Sequence, residues 1–232
     1  MSSMATRRVL ADLATRFEAQ SPWRVALESV GGVDAARRVK AGEILDAVVL
    51  ARDAIDELIA TGHIVAGSRI DLVASPVAVA VRAGAPRPDI NTAEAVKRAV
   101  LAASRVGYST GPSGSHLARI FAGWDPALKD RVTVASPGVP VGTLVARGDV
   151  ELGFQQLSEL IGLEGIEVVG LLPAPIQVVT IFSGGVARTS AQPDAVRTLL
   201  SFMAAPSATE VKRIYGMDAA SGSAQPQGVS SH

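Results

Sequence analysis

Two serines stand at the very start of this 232-residue chain, Ser2 and Ser3, directly ahead of a helical stretch. Hydroxyls and free backbone N–H groups at a helix start can hold an anion, or simply cap the helix. The same grammar returns in STGPSGSH, residues 109–116, where Ser113, Gly114 and Ser115 open another helix and can turn N–H groups and hydroxyls toward an oxyanion. That loop has neither the lysine of a phosphate-binding P-loop nor the GxGxxG spacing of a dinucleotide fold, which argues against a nucleotide ligand. Gly31 and Gly32 permit close backbone approach or a tight turn. Gln155 and Gln156 follow a strand, so one faces a cleft and the other solvent. Two residues are weak candidates for proton transfer. Glu28, at a strand end, reads as a general base or as an ordinary terminal charge, and His116 reads as a proton shuttle or as a solvated helix residue. No Ser-His-Asp spacing, carboxylate pair or metal cluster accompanies them.

Composition narrows the chemistry. With no cysteine and three histidines, His63, His116 and His232, a thiolate or His-based metal site is not expected, and no cofactor is implied. Twenty-two basic and 22 acidic residues balance to zero net charge with the signs interspersed, which removes the case for nucleic acid or an anionic membrane surface. No run of about 18 apolar residues suggests a membrane span, and no charged-then-apolar leader precedes the first helix. As written, the chain reads as a soluble, cytoplasmic globular protein.

The elements that must position these loops alternate. The first helix carries one apolar stripe, Val9, Leu10, Leu13 and Phe17. A strand is expected over residues 24–28, a helix over 34–40, a strand buried on both faces over 45–50, and a helix capped by Asp53 and closed at Gly62. Two strands follow, from Ile70 and from Val77, separated by Pro76. Asn91 and Glu94 form the expected capping box of the next helix. Strands near residues 106–108, 131–135, 150–154 and 167–169 alternate with helices, a long strand covers 176–185, and helix runs from Asp194 to about Tyr215. Residues 218–232, rich in Ser, Gly, Gln, Ala and Pro, read as a flexible tail.

Strand ends feeding small-residue loops that open helices predict an open, doubly wound α/β sheet, with ligands beyond the carboxyl ends of the strands. The long strands near 77–81 and 178–182 bracket about a hundred residues with their own βα set. Two lobes are therefore expected, 1–80 plus 178–217 and 81–177, joined by two crossing strands around a cleft, each with a mainly parallel sheet.

The SSMAT opening, the block from Gly31 through Ile90 and the stretch VPVGTLVARGDVELGFQQLSEL resemble the type II periplasmic solute-binding proteins, in their molybdate-binding-like branch. The resemblance implies an oxyanion held without cationic side chains by hydroxyls and amides at helix starts of both lobes. By position it implicates Ser2, Ser3, Gly31 and Gly32 in one lobe, and Ser136, Gly138, Val139 and Gln155 in the other. Where the branch has a serine-rich second loop this chain has Gly31-Gly32-Val33, and it adds the Ser113-Gly114-Ser115 loop, which suits a larger ligand such as a carboxylate. The main functional expectation is a small-anion receptor working with an ABC permease. The alternative is a cytoplasmic isomerase of an unsaturated polycarboxylate, since some proteins similar to this branch are aconitate-type isomerases. The branch also has a strand ahead of the Ser pair, so a start further upstream is expected, with export then in prospect.

Overall fold

The computed structural model describes residues 1–220; the rest of the expected tail, His232 included, lies outside the described residues. The chain runs through β1 (Ser2–Ser3), α1 (Arg7–Glu18), β2 (Ser29–Val30), α2 (Gly32–Lys40), β3 (Ala47–Ala51), α3 (Arg52–Ala60) and the long β4 (Ile70–Arg82). It continues through α4 (Ala93–Ala102), β5 (Val106–Tyr108), α5 (Pro112–Trp124), β6 (Val132–Val134), α6 (Val141–Arg147), β7 (Leu152–Gln156), α7 (Leu157–Leu160) and β8 (Ile166–Leu171). β9 (Val179–Val186), α8 (Pro193–Ala204), α9 (Thr209–Ile214) and β10 (Asp218–Ala219) complete it.

The expectation of two mainly parallel sheets is corrected to one mixed sheet of ten strands, with the path β2-β1-β3-β9-β4-β7-β5-β6. Parallel pairing is confined to the outer strands, while β4 is antiparallel to β7, β8, β9 and β10. The cause is β4 itself. At 13 residues it spans about 43 Å, and it exchanges partners midway, from β9 up to Pro76 to β7 from Val77. The two strands expected on either side of Pro76 are therefore one. Proline lacks the N–H of a ladder, and here it stands where the ladder changes hands.

The core divides at the same point. Helices α1, α8 and α9 cover one face of the first half through a cluster that includes Leu10, Leu13, Leu72, Phe182 and Leu200. Helices α2 and α3 cover the other through Val39, Val48, Leu50 and Leu58. Val49 joins the first cluster while Val48 and Leu50 join the second, so β3 is buried on both faces as its apolar run implied. In the second half Val77, Val79 and Val81 face α4 and α5, whereas Ala78 and Ala80 face α7. No described cluster draws on both halves.

Local expectations were corrected elsewhere. Residues 24–28 are not a strand, because the space between them and residues 43–47 is a groove of about 560 Å³ lined by Leu10, Phe17, Leu27 and Leu45, with no strand in it to pair with. Thr92, not Asn91, caps α4, its hydroxyl accepting from the Ala95 N–H at 3.1 Å. Asp53 lies inside the first turn of α3, where its charge complements the helix dipole, while Ala51 occupies the cap. Asp218 and Ala219, assigned to the tail, pair with Ala74 and Val73.

Candidate functional site

The strand ends set the site. Ser3 pairs with Val30, and Tyr108 pairs with both Val134 and Phe154, so within each half the following loops leave the same edge of the sheet. The two edges meet. A methyl group placed on Gly31 would stand 4.0 Å from the Gly138 amide nitrogen, and Arg8 Nη1 donates to the Ile161 carbonyl at 2.6 Å across the same seam. Gly138 has φ +80° in a turn closed by the Val139 N–H donating to the Ser136 carbonyl, a conformation that favours glycine.

The two serines at the chain start divide their roles. Ser2 is fully buried and its Oγ lies 2.7 Å from Ser29 Oγ, so this hydroxyl is engaged in tying β1 to β2. Ser3 points to the opposite side of the short strand. Its Oγ makes no hydrogen bond among the described residues and lies 3.9 Å from where a methyl on Gly32 would sit, so the two face one space. Ser113 is buried in the first turn of α5 behind Pro112. Gly114 is required by packing, since a methyl there would fall 1.7 Å from the Ser109 carbonyl oxygen. Ser115, Ser136 and Val139 are exposed.

Gln155 is buried, and its Oε1 accepts the Val141 N–H at 2.7 Å, which fixes the start of α6. Gln156 is buried too, where one glutamine was expected in solvent. Its Nε2 donates to Thr180 Oγ1 at 2.8 Å, joining β7 to β9.

Neither weak proton-transfer candidate gains support. The Arg38 guanidinium binds both carboxylate oxygens of Glu28 at 2.6 and 3.0 Å and holds its carboxyl below the usual range, which suits a structural ion pair. His116 is half-buried on α5, with no side-chain hydrogen bond among the described residues.

The group with the right acidity is one that sequence reasoning passed over. Glu159 lies on α7, the short helix that packs against the turn Met4–Thr6 of the other half. Burial outweighs the lowering effect of a hydrogen bond from Gln155 and holds its carboxyl, ordinarily at 4.5, up at about 7. A carboxyl poised near neutrality can both take and return a proton. The signal was in the sequence: in LSELI one glutamate interrupts Leu157, Leu160 and Ile161, four residues after Gln155. Among the described residues no group of three or more His, Asp and Glu is placed to hold a metal, and no helix is long and apolar enough to cross a membrane.

Residues 1–218 match the family model for bacterial extracellular solute-binding protein. A curated relative, aconitate isomerase from Pseudomonas sp., is 41% identical over 178 residues, which are 75% of this chain and 67% of that protein. Among solved structures, the Azotobacter vinelandii periplasmic molybdate-binding protein superposes with a TM-score of 0.76 at 18% identity, covering 93% of this chain and 96% of that one. The substrate-binding domain of a putative molybdenum ABC transporter from Clostridium difficile gives 0.73 at 14%, covering 94% and 96%. These likenesses establish a molybdate-binding-protein-like α/β fold.

Proposed function

The chain belongs to the bacterial extracellular solute-binding protein family, and on that premise we propose that it is an isomerase of an unsaturated polycarboxylate, similar to aconitate isomerase, working in the cleft between its halves. The observation that carries this reading is the 41% identity to that enzyme, over a stretch three-quarters the length of this chain. In this reading the halves are lobes, the crossings at residues 76–77 and 177–179 are the hinge, and closure brings the loops of Gly31 and Gly138 together over the ligand.

The chemistry needs three things. A base removes a proton from the CH2 beside the double bond, donors stabilise the negative charge that spreads onto the adjoining carboxylate, and the base, its proton exchanging with solvent, delivers a proton to the far allylic carbon. Bonds and electrons balance with no oxidant. Glu159 is the proposed base and acid, because a group with a pKa near 7 spends comparable time in both states at neutral pH. The Ser3 and Ser113 hydroxyls and the amides of the Gly31 and Gly138 loops are the proposed donors. Fixed dipoles of this kind suit charge that appears during reaction, since they need no reorganisation.

The test is to incubate the protein with cis- or trans-aconitate in D2O and follow the mixture by proton NMR. Interconversion with deuterium entering the allylic positions is expected. Binding without turnover, read by calorimetry on the same sample, would refute the enzyme and return the chain to the receptor role with an ABC permease as partner.

A further inference from the structure

One side chain at the crossing between the halves spends its whole hydrogen-bonding capacity on main-chain groups. Gln177 stands half-buried between the turn Ala174–Ile176 and β9, where the chain leaves the second half for the first. Its Oε1 accepts from the Val77 N–H at 3.0 Å and from the Val178 N–H at 2.8 Å. Its Nε2 donates to the carbonyls of Val77 at 3.1 Å and Leu172 at 3.0 Å. A primary amide has two N–H donors and an oxygen with two lone pairs, and here all four positions are taken.

Val77 is the residue at which β4 leaves β9 and takes up β7. It is fully buried, and it follows a proline that has no N–H of its own to give. Its N–H is shared between the Val178 carbonyl at 3.1 Å and Gln177 Oε1, and its carbonyl takes the Leu172 N–H at 3.1 Å together with Gln177 Nε2. Doubled partners matter where two strands change their angle, because a buried N–H can then pass from one acceptor to the other without being orphaned. The crossing is such a place. No described core cluster draws on both halves, so turning one half against the other opens no shared apolar core and bends the crossing strands instead.

We infer that Gln177 is a positioning residue for the cleft: its carboxamide is a movable rung that keeps Val77 bonded while the halves open and close, and so sets the balance between the two arrangements. The arrangement described above is the closed one, with the Gly31 and Gly138 loops facing each other at the seam. On opening, the Val77 N–H gives up the Val178 carbonyl and keeps Gln177 Oε1. The side chain acts through Val77 and touches no ligand. The inference rests on the reading of the halves as lobes that close, and it deepens that reading by naming what governs closure.

The chain has no cysteine, so a pair introduced at the exposed positions Arg98 on α4 and Arg197 on α8, one in each half, carries the only spin labels for a pulsed electron paramagnetic resonance measurement. No ligand is added. The wild type should show two inter-label distances, one for each arrangement. Gln177→Met has similar length and none of the four bonds, and it should shift the ratio toward the closed form by about fivefold or more, as expected for one net hydrogen bond lost from the open form. A purely structural side chain would lower Tm on substitution and leave that ratio alone. In wild-type protein, NMR relaxation dispersion at the Val77 amide and the Gln177 carboxamide should give one shared exchange rate, an arm that needs no variant to fold. A single inter-label distance in the wild type overturns both the lobe reading and the inference. Two distances with an unchanged ratio in a cooperatively folded Gln177→Met, or flat dispersion at both groups, overturns the rung alone. Turnover of aconitate alongside that result would leave the isomerase standing without the rung, and a shifted ratio without turnover would leave the rung standing without the isomerase.

Discussion

Replacing Glu159 by glutamine removes a titration while keeping the side chain's shape and its capacity to hydrogen-bond Gln155. In the fold this carboxyl ionises near 7, against 4.5 for an ordinary glutamate. The unfolded chain therefore releases the proton first as pH rises, and the folded state, still protonated, is disfavoured relative to it. Stability contributed by the neutral carboxyl is fully present below about pH 4.5 and is lost as pH climbs to about 7. At about 1.4 kcal/mol per pKa unit, the loss amounts to about 3 kcal/mol. Glu159→Gln cannot ionise, so the two proteins should melt together in acid, with the variant the more stable above pH 7. The gap corresponds to roughly 6 to 12 °C in Tm for a chain of this size. The same substitution removes the proposed base, so turnover of aconitate should fall about a hundredfold to ten-thousandfold. In the wild type, kcat/KM should rise through an apparent pKa near 7, with the variant's residual rate flat across that range. Parallel melting curves at every pH would refute the burial argument. Undiminished turnover would refute the catalytic assignment even if the melting curves behaved as expected.

Gly114→Ala drives a methyl against the Ser109 carbonyl and should cost about 3 kcal/mol in urea denaturation; a neutral result would mean the loop before α5 relaxes freely. Ser2→Ala and Ser3→Ala should separate cleanly: the first strands the Ser29 hydroxyl and costs about 1 kcal/mol of stability, while the second leaves Tm near wild type and weakens ligand binding. Equal effects of the two on binding would contradict that division. At the chain start, the Met1 ammonium donates to the Ala47 carbonyl at 2.9 Å, and burial lowers its pKa below 8.0. Its unfavourable contribution is therefore absent above pH 8 and grows as pH falls through the lowered value. Fusing a short apolar, β-branched segment ahead of Met1 replaces the ammonium by an amide and supplies a strand for the groove beside residues 24–27, so Tm at neutral pH should rise by several degrees; an unchanged Tm would show that the groove does not accept a strand.

What the sequence made legible was whatever repeats with a period or follows from a single residue's geometry. The double burial of β3 was written in an unbroken apolar run, and the stop of α3 in Gly62, whose φ is +77°. What stayed hidden depended on partners far away in the chain. Residues 24–28 have the composition of a strand, but a strand forms only where a neighbour offers its ladder, and there a groove lies instead. Pro76 looked like a boundary because a proline interrupts most ladders; it became an interior residue because Val179 pairs with it and Gln156 takes over the pairing at Val77. The site follows the same rule. Serines and glycines at helix starts announce themselves locally, whereas Glu159 looks like an ordinary charge in a short amphipathic segment until its surroundings are known. Its chemistry comes from lost solvent. Desolvation lifts this carboxyl toward neutrality on a short helix at the seam between the halves. In the proposed reading, a binding fold made from neutral loops needs only one such change of environment, at Glu159, to acquire an acid–base group, which is a short physical distance between a receptor and an enzyme.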